Sequence, residues 1–418
     1  MNIGIIGLGD MGKMYAKKWA LNPKLHVFGC DLPHKEAELK AELEPLGISL
    51  MQDGVGISRL CDFIMYCVEA ENIESIVAQF GPSTKIGAIV AGQTSVKTPE
   101  VEAFLAHLPL DTHIITCHSL HGPAVNPVGQ TMMVMNVRSD KTTHDTTLAL
   151  LTEIGSTIHE VASYQEHDKM MADIQAITHV GFESIGTTWM RQGVFPWENT
   201  DASGLDHVKI LMTLRIYSYK FHVYSGLALM NPYARQDVQL YAQAESDLFS
   251  MMIMEQEEAF RKTIYTARDF VFKNPPEKLM LDDSIMNEFA LNQDTNHKPN
   301  SHLSLLAMVE TWHRLGVSPY DNKLVQTPPF KLRVGMAEYL FLNEARLEET
   351  IQTALYDKSA RGEDLAFHSS VHEWANIVAH GDRNGYREHF QTTKNFLADR
   401  LEEGRLLSNK LIEKLQGK

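Results

Sequence analysis

Four groups of residues in this chain have types and spacings suited to chemistry. The first is Gly7-Leu8-Gly9-Asp10-Met11-Gly12, a G-x-G-x-x-G run. It stands directly behind the apolar stretch Ile3-Gly4-Ile5-Ile6 and directly ahead of helix-forming residues from Met14 to Ala20. A strand, a glycine turn and a helix in that order make a dinucleotide-binding fingerprint. Gly7 permits the tight turn, Gly9 lets backbone approach a pyrophosphate, and Gly12 lets the helix pack closely on the strand. The helix N-terminus then offers free N–H groups and the positive end of a dipole to the phosphates. Asp31 closes the next strand-like run, Leu25 to Cys30, about 20 residues beyond Gly12, where a carboxylate accepts from ribose hydroxyls and repels a 2′-phosphate. Asp31 thus favours NAD, whereas His34 and Lys35 just beyond it would meet the 2′-phosphate of NADP.

The second group is His118, in Cys117-His118-Ser119-Leu120-His121-Gly122-Pro123, together with Ser95 in Gln93-Thr94-Ser95-Val96-Lys97. An imidazole at a strand end serves as acid or base near neutral pH. Ser95 either hydrogen-bonds a substrate hydroxyl, orients His118, or caps the helix that follows. The third is Gln175 and His179, spaced i,i+4 on one face of an apolar helix, where a polar pair is costly unless satisfied. The fourth is Arg215, Tyr219 and His222, on one stripe of a helix expected within Asp206 to Met230, with Lys220 beside it. In an acidic chain such a stripe suits an anionic substrate, because arginine holds a carboxylate with two parallel hydrogen bonds. His167 and His179 lack a metal-binding spacing, and no metal is expected.

The elements that must position these groups follow from periodicity. Apolar strand runs alternate with helical stretches over the first 160 or so residues: Asp62 to Val68, Ile86 to Ala91, Thr112 to His118, Thr131 to Asn136 and Thr157 to Val161 are the later strands. That alternation predicts an α/β Rossmann-like, doubly wound parallel sheet. Ligands of such sheets sit beyond the carboxyl ends of the strands, which selects Gly7 to Gly12, Val68 and Glu69, Gly92 to Lys97, and His118 to Pro123. Beyond Tyr164 helical periods dominate, in long stretches over His167 to Arg191, Asp206 to Met230 and Gln236 to Phe272. Two domains are expected: 1–163 for the dinucleotide and 164–418, largely α-helical, for substrate and dimerisation.

Composition excludes several classes. The 418 residues carry 53 acidic against 38 basic side chains, a formal net charge of -15, and no basic block, so nucleic acid is not an expected partner. The hydrophobic content of 44% supports sizeable cores. No apolar run reaches membrane-spanning length, and the chain enters a strand at once, with no signal peptide. The four cysteines, Cys30, Cys61, Cys67 and Cys117, form no C-x-x-C pair and fit a reducing, cytoplasmic compartment.

The glycine loop, Gly92-Gln93-Thr94-Ser95, His118 to Pro123, His167-Asp168 with Gln175 and Thr178-His179, Arg215-Ile216-Tyr217 with Lys220, and Pro299 to Leu306 resemble the prephenate dehydrogenases, specifically the fungal-type, NADP-linked branch. The resemblance runs over nearly the whole chain. It implies oxidative decarboxylation of prephenate to 4-hydroxyphenylpyruvate in tyrosine biosynthesis. Hydride passes to NADP, with NAD as the alternative that Asp31 favours. It also implies that the residue matching His118 draws the proton from the ring hydroxyl, that Ser95 assists, that His179 lies in the substrate pocket, and that the helical domain forms a homodimer. Bacterial members carry a substrate-binding arginine in a G-R-x-F-like stretch, but here Gly226-Leu227 has none, leaving Arg215, Lys220 or Arg235. Arogenate dehydrogenase is the nearest alternative. A 3-hydroxyacid or 6-phosphogluconate type enzyme, which would rely on Lys169, and a nucleotide-sensing regulator are further ones.

Overall fold

The computed structural model describes residues 1–123, 125–198, 204–277, 279–288, 299–322, 325 and 327–415. The chain divides into two compact units, Met1–Lys169 and Met170–Lys418.

The first unit is built on strands β1 (Asn2–Ile6), β2 (His26–Cys30), β3 (Ser49–Leu50), β4 (Phe63–Tyr66), β5 (Ile89–Gly92), β6 (His113–Ser119), β7 (Thr131–Arg138) and β8 (Thr157–Glu160). Their order in the sheet is β3-β2-β1-β4-β5-β6-β7-β8. The helices are α1 (Asp10–Trp19), α2 (Glu36–Leu43), α3 (Gly54–Leu60), α4 (Ile73–Phe80), α5 (Lys97–His107), α6 (Lys141–Thr152) and α7 (Tyr164–Met171). Side chains alternate across a strand, and a sheet covered by helices on both faces must be apolar on both. Accordingly Ile3, Ile5, Phe63 and Met65 pack with Tyr15 and Trp19 on one face, while Ile6, Ile64, Tyr66 and Val90 pack with Ile57, Val77 and Phe104 on the other.

One expectation needs correcting: the sheet is not wholly parallel. β7 runs antiparallel to β6, pairing His118 with Met133 and Ser119 with Met132. The described part of the 120–130 connection holds no helix, and without a crossover the chain returns beside β6 in the opposite direction.

The second unit is helical: α8 (Ile177–Gln192), α9 (Gly204–Ser218), α10 (His222–Met230), α11 (Ala234–Ile253), α12 (Glu257–Val271), α13 (Asp283–Glu288), α14 (Leu303–Leu315), α15 (Pro328–Phe341), α16 (Glu344–Tyr356), α17 (Arg361–His380), α18 (Arg383–Phe396) and α19 (Leu401–Leu415). α8 is buried along most of its length and packs on α17 and α9, α11 packs on α14 and α17, and α19 packs on α9. Among the described residues no helix is long and apolar enough to cross a membrane.

Two of the long helical stretches are broken. The stretch from Asp206 to Met230 ends at Ser218 and restarts at His222. Ser218 Oγ donates to Arg215 O at 2.6 Å, and Lys394 Nζ on α18 donates to Tyr219 O at 2.7 Å, so carbonyls freed by the break are satisfied. Gln236 to Phe272 breaks between Ile253 and Glu257, where Glu255 takes a φ of 48°. His167 to Arg191 stays continuous, but through a π-helical turn at Ala172–Ala176. The donors Trp312 Nε1, 3.0 Å from Asp173 O, and Asn322 Nδ2, 2.9 Å from Met170 O, take carbonyls at that turn. The polar stretch from Asn292 lies outside the described residues as far as 298.

Candidate functional site

The glycine turn joins β1 to α1 as the motif requires. Gly7 has a φ of +96°, and a Cβ there would stand 2.5 Å from Cys67 O, at the end of β4. A Cβ on Gly12 would stand 2.0 Å from Gly7 O, so the first turn of α1 can lie on the loop only without a side chain. A Cβ on Gly9 would meet nothing within 4 Å. That open space above the N-terminus of α1 fits a pyrophosphate. Asp10 begins α1 and Met11 packs against the core. Leu8 is buried, Val68 is half-buried behind Gly7, and Glu69 is exposed.

Asp31 is largely used by the protein's own donors. Its Oδ2 accepts from Leu8 N at 2.8 Å, and its Oδ1 accepts from Leu32 N at 2.7 Å and from Lys35 Nζ at 3.1 Å. The carboxylate therefore pins the glycine loop and gathers a cation at the end of β2. This changes the sequence expectation that Asp31 is free to select NAD.

His118 sits at the carboxyl end of β6, and its Nδ1 lies 2.9 Å from His167 Nε2. His167 Nδ1 lies 2.9 Å from Asp168 Oδ1. Asp168 in turn accepts the backbone N–H groups that open α5, from Lys97 at 2.8 Å and Thr98 at 2.7 Å. A carboxylate can only accept, so His167 carries its proton on Nδ1 and accepts at Nε2. His118 then donates from Nδ1, and its Nε2 keeps the lone pair. Burial holds His118 well below its ordinary pKa, and His167, Lys97 and His121 add in the same direction. Burial also lowers His167, with Asp168 opposing. The result is a neutral imidazole held in the tautomer of a proton acceptor.

Ser95 does not orient His118, since His167 makes that contact. Nor does Ser95 cap α5: Val96 holds the cap position, and Asp168 takes the free N–H groups. Ser95 is half-buried in a loop fixed by Tyr15, whose hydroxyl donates to Gln93 Oε1 at 2.8 Å and lies 2.6 Å from Ser119 Oγ. Beneath this loop Lys97 is fully buried, with Nζ bonded to Glu100 Oε1 at 2.9 Å, Thr116 Oγ1 at 3.1 Å and Gly92 O at 3.2 Å. His121 makes local contacts, to Gly122 O at 3.1 Å and Ser156 Oγ at 3.4 Å.

In the second unit His179 on α8 faces Tyr224 edge-on, with ring centroids 4.7 Å apart, and lies 6.1 Å from Phe330. Arg333 on α15 stacks over Phe330 at 4.6 Å and donates from Nη1 to Thr178 Oγ1 at 3.2 Å. Arg333 is buried, and among the described residues no carboxylate forms an ion pair with it. Burial lowers its pKa to about 10. Burial raises Glu183 on α8 to about 8, against a bond from the Tyr386 hydroxyl and the charge of Arg333. His179 is held well below its ordinary value, first by burial and then by Arg333. His179 Nδ1, Arg333 Nε, Glu183 Oε2 and Gln175 Oε1 are all buried without a hydrogen-bond partner. Buried polar atoms are nearly always satisfied, so orphans of both donor and acceptor kinds around one arginine mark a receptor for a polar anion.

The predicted cationic stripe is not the one observed. Because α9 ends at Ser218, Arg215 and His222 stand on different helices. Arg215 bonds Asn409 Oδ1 and Ser408 Oγ of α19 and lies 5.3 Å from the Tyr219 ring centroid. Lys220 and Arg235 are exposed, and His222 opens α10 half-buried. Lys169 is exposed on α7. Sequence reasoning missed Arg333 because its surroundings, Phe330-Lys331-Leu332-Arg333-Val334, carry no polar pairing at helical spacing. His167-Asp168 was visible as a motif, but its link to His118 spans 49 residues.

Known proteins compare as follows. Residues 176–417 match a family described as a 6-phosphogluconate dehydrogenase C-terminal domain. The chain is 42% identical to a protein of Saccharomyces cerevisiae named prephenate dehydrogenase [NADP(+)], over 98% of this chain and 93% of the relative. It is 37% identical to one of Schizosaccharomyces pombe named probable prephenate dehydrogenase [NADP(+)], over 99% and 97%. Among solved structures, the prephenate dehydrogenase of Aquifex aeolicus in complex with hydroxyphenyl propionate and NAD+ aligns with a TM-score of 0.52 at 16% identity, over 63% of this chain and 94% of that one, which shows a shared fold.

Proposed function

The chain belongs to the prephenate dehydrogenase family, and we infer that it oxidatively decarboxylates prephenate to 4-hydroxyphenylpyruvate with NADP+. The observation that carries the residue assignments is the neutral His118, whose free Nε2 is set by His167 and Asp168. The dinucleotide, when bound at the glycine turn, accepts hydride from the ring carbon that bears the hydroxyl. His118 Nε2 takes the hydroxyl proton as that bond to hydrogen breaks. The electrons of the ring–carboxylate bond then complete the aromatic ring, carbon dioxide leaves, and the oxygen regains a proton. Aromatisation supplies driving force, so the protein's work is orientation, one base and charge complementarity.

Arg333 is the receptor for a substrate carboxylate, with His179 and Gln175 as hydrogen-bonding neighbours. Arg215, His222 and Lys220 have no orphaned atoms to support the same role. Lys35 faces the 2′-phosphate of NADP, a reading supported by its place beside Asp31 and by the names of both yeast relatives. Glu69 and Val68 border the adenosine side of the turn, and Ser95 contacts the substrate hydroxyl. A cytoplasmic homodimer fits the four free thiols and the family resemblance.

Following absorbance of the reduced nicotinamide tests this reading. Prephenate with NADP+ gives rapid reduction and stoichiometric carbon dioxide, NAD+ gives less, and arogenate gives little. Equal inertness of both coenzymes with both substrates would overturn it. Light scattering at twice the chain mass checks the dimer.

A further inference from the structure

Three side chains outside the residues discussed so far meet between α11 and α17. His368 and His372 stand one turn apart on α17, with ring centroids 4.6 Å apart. Residues spaced i,i+4 share a helix face, so both rings point the same way. Glu245 faces them from α11. Its Oε2 lies 2.8 Å from His368 Nδ1. Its Oε1 has no hydrogen-bond partner although the residue is fully buried. A single ion pair with His368 would leave that oxygen orphaned, which folded proteins rarely tolerate.

One ligand atom from each of Glu245, His368 and His372 lies within 4.8 Å of the other two. Imidazole nitrogen and carboxylate oxygen bind zinc at about 2.0–2.2 Å, which places ligand atoms about 3.3 Å apart in a tetrahedral site. Small rotamer changes close that gap. The rings are already oriented: Phe249, one turn beyond Glu245, stacks on His368 at 4.8 Å, and Ser246 Oγ lies 2.6 Å from His372 Nε2. Such outer contacts fix ligand geometry in metal sites. Two histidines and one carboxylate suit zinc among the available divalent ions, whereas magnesium and calcium prefer oxygen ligands throughout.

We propose that Glu245, His368 and His372 form a zinc site that clamps α17 to α11. Three protein ligands leave one tetrahedral position for water. The sequence expectation of no metal weighed only His167 and His179, whereas the pair that meets the carboxylate is His368-x-x-x-His372.

The test uses the full chain, without an affinity tag, stripped with a chelator and reloaded. One zinc per chain survives gel filtration, and the melting temperature rises with zinc concentration. Cobalt gives the intense visible bands of tetrahedral coordination. His372→Gln weakens zinc binding by more than about 100-fold, beyond the loss typical of outer-shell changes, and removes the zinc-dependent rise in melting temperature. It leaves NADP-linked turnover unchanged. A stripped wild-type chain that takes up no stoichiometric zinc, or that gives cobalt only the weak spectrum of the hydrated ion, overturns the proposal without recourse to a variant. So does a folded His372→Gln chain that binds zinc as tightly as wild type.

Discussion

Asp168 decides the protonation pattern of His118 without touching it. Its carboxylate has no proton to give, so each imidazole in the chain from Asp168 to His118 has one tautomer available. Asp168→Asn would present an amide N–H to His167 Nδ1, move the His167 proton to Nε2 and force His118 to protonate at its own Nε2. The expected outcome is a fall in kcat of about 100-fold or more, the range of a lost general base, with KM for prephenate little changed. His118→Asn should lose at least as much. Steady-state kinetics on both variants, with circular dichroism to confirm folding, checks this. An Asp168→Asn enzyme with full kcat would separate His167 and Asp168 from catalysis. None of this is visible in the sequence as a pairing, because β6 and α7 meet only through the fold. The motifs His118 to Pro123 and His167-Asp168 were each legible alone.

The turn from β1 to α1 separates what glycine does for folding from what it does for the ligand. Gly7 has a positive φ and backbone 2.5 Å from where a Cβ would lie, whereas Gly9 has neither constraint. Gly7→Ala therefore costs stability, about 1–3 kcal/mol for a strained backbone position, and lowers the melting temperature. Gly9→Ala should fold as wild type, yet its methyl would occupy the space left for phosphate and raise KM for NADP+ at least tenfold. Thermal melts and dinucleotide titrations distinguish the two. At this scale the strand–turn–helix was readable from spacing, as were most strands of the first unit. The break after Ser218 was not, because its stabilising partner is Lys394, far along the chain. The antiparallel β7 was also missed, since a short apolar run carries no sign of its direction.

Taken whole, the protein keeps charge buried in its helical unit, and this has consequences for pH and stability. Arg333 is buried without a carboxylate partner, a costly state that a bound anion relieves. Arg333→Met should raise KM for prephenate by about 10- to 100-fold, the equivalent of a charged hydrogen bond, while leaving the melting temperature unchanged or higher. Kinetics and calorimetry on one preparation check both halves. Glu183 has a folded-state pKa of about 8, above the ordinary carboxyl value. The folded chain therefore binds its proton more tightly than the unfolded chain. That stabilisation is complete below about pH 4.5 and is lost as pH rises towards 8. Wild-type melting temperature should fall across this window, and Glu183→Gln should flatten the fall. An identical slope in both chains would show that Glu183 titrates normally. A protonated Glu183 near neutrality also spares an anionic substrate a like charge beside Arg333.

Local spacing was enough to specify the dinucleotide turn, the alternation that makes the α/β sheet, the helical second half, and His118 and His179 as candidates, because these depend on contacts within a few residues. Arg333 as the buried cation, the Asp168–His167–His118 chain, the occupation of Asp31 and the Glu245–His368–His372 cluster depend on residues brought together across large separations. Burial sets their energies, and burial exists only once the chain has packed.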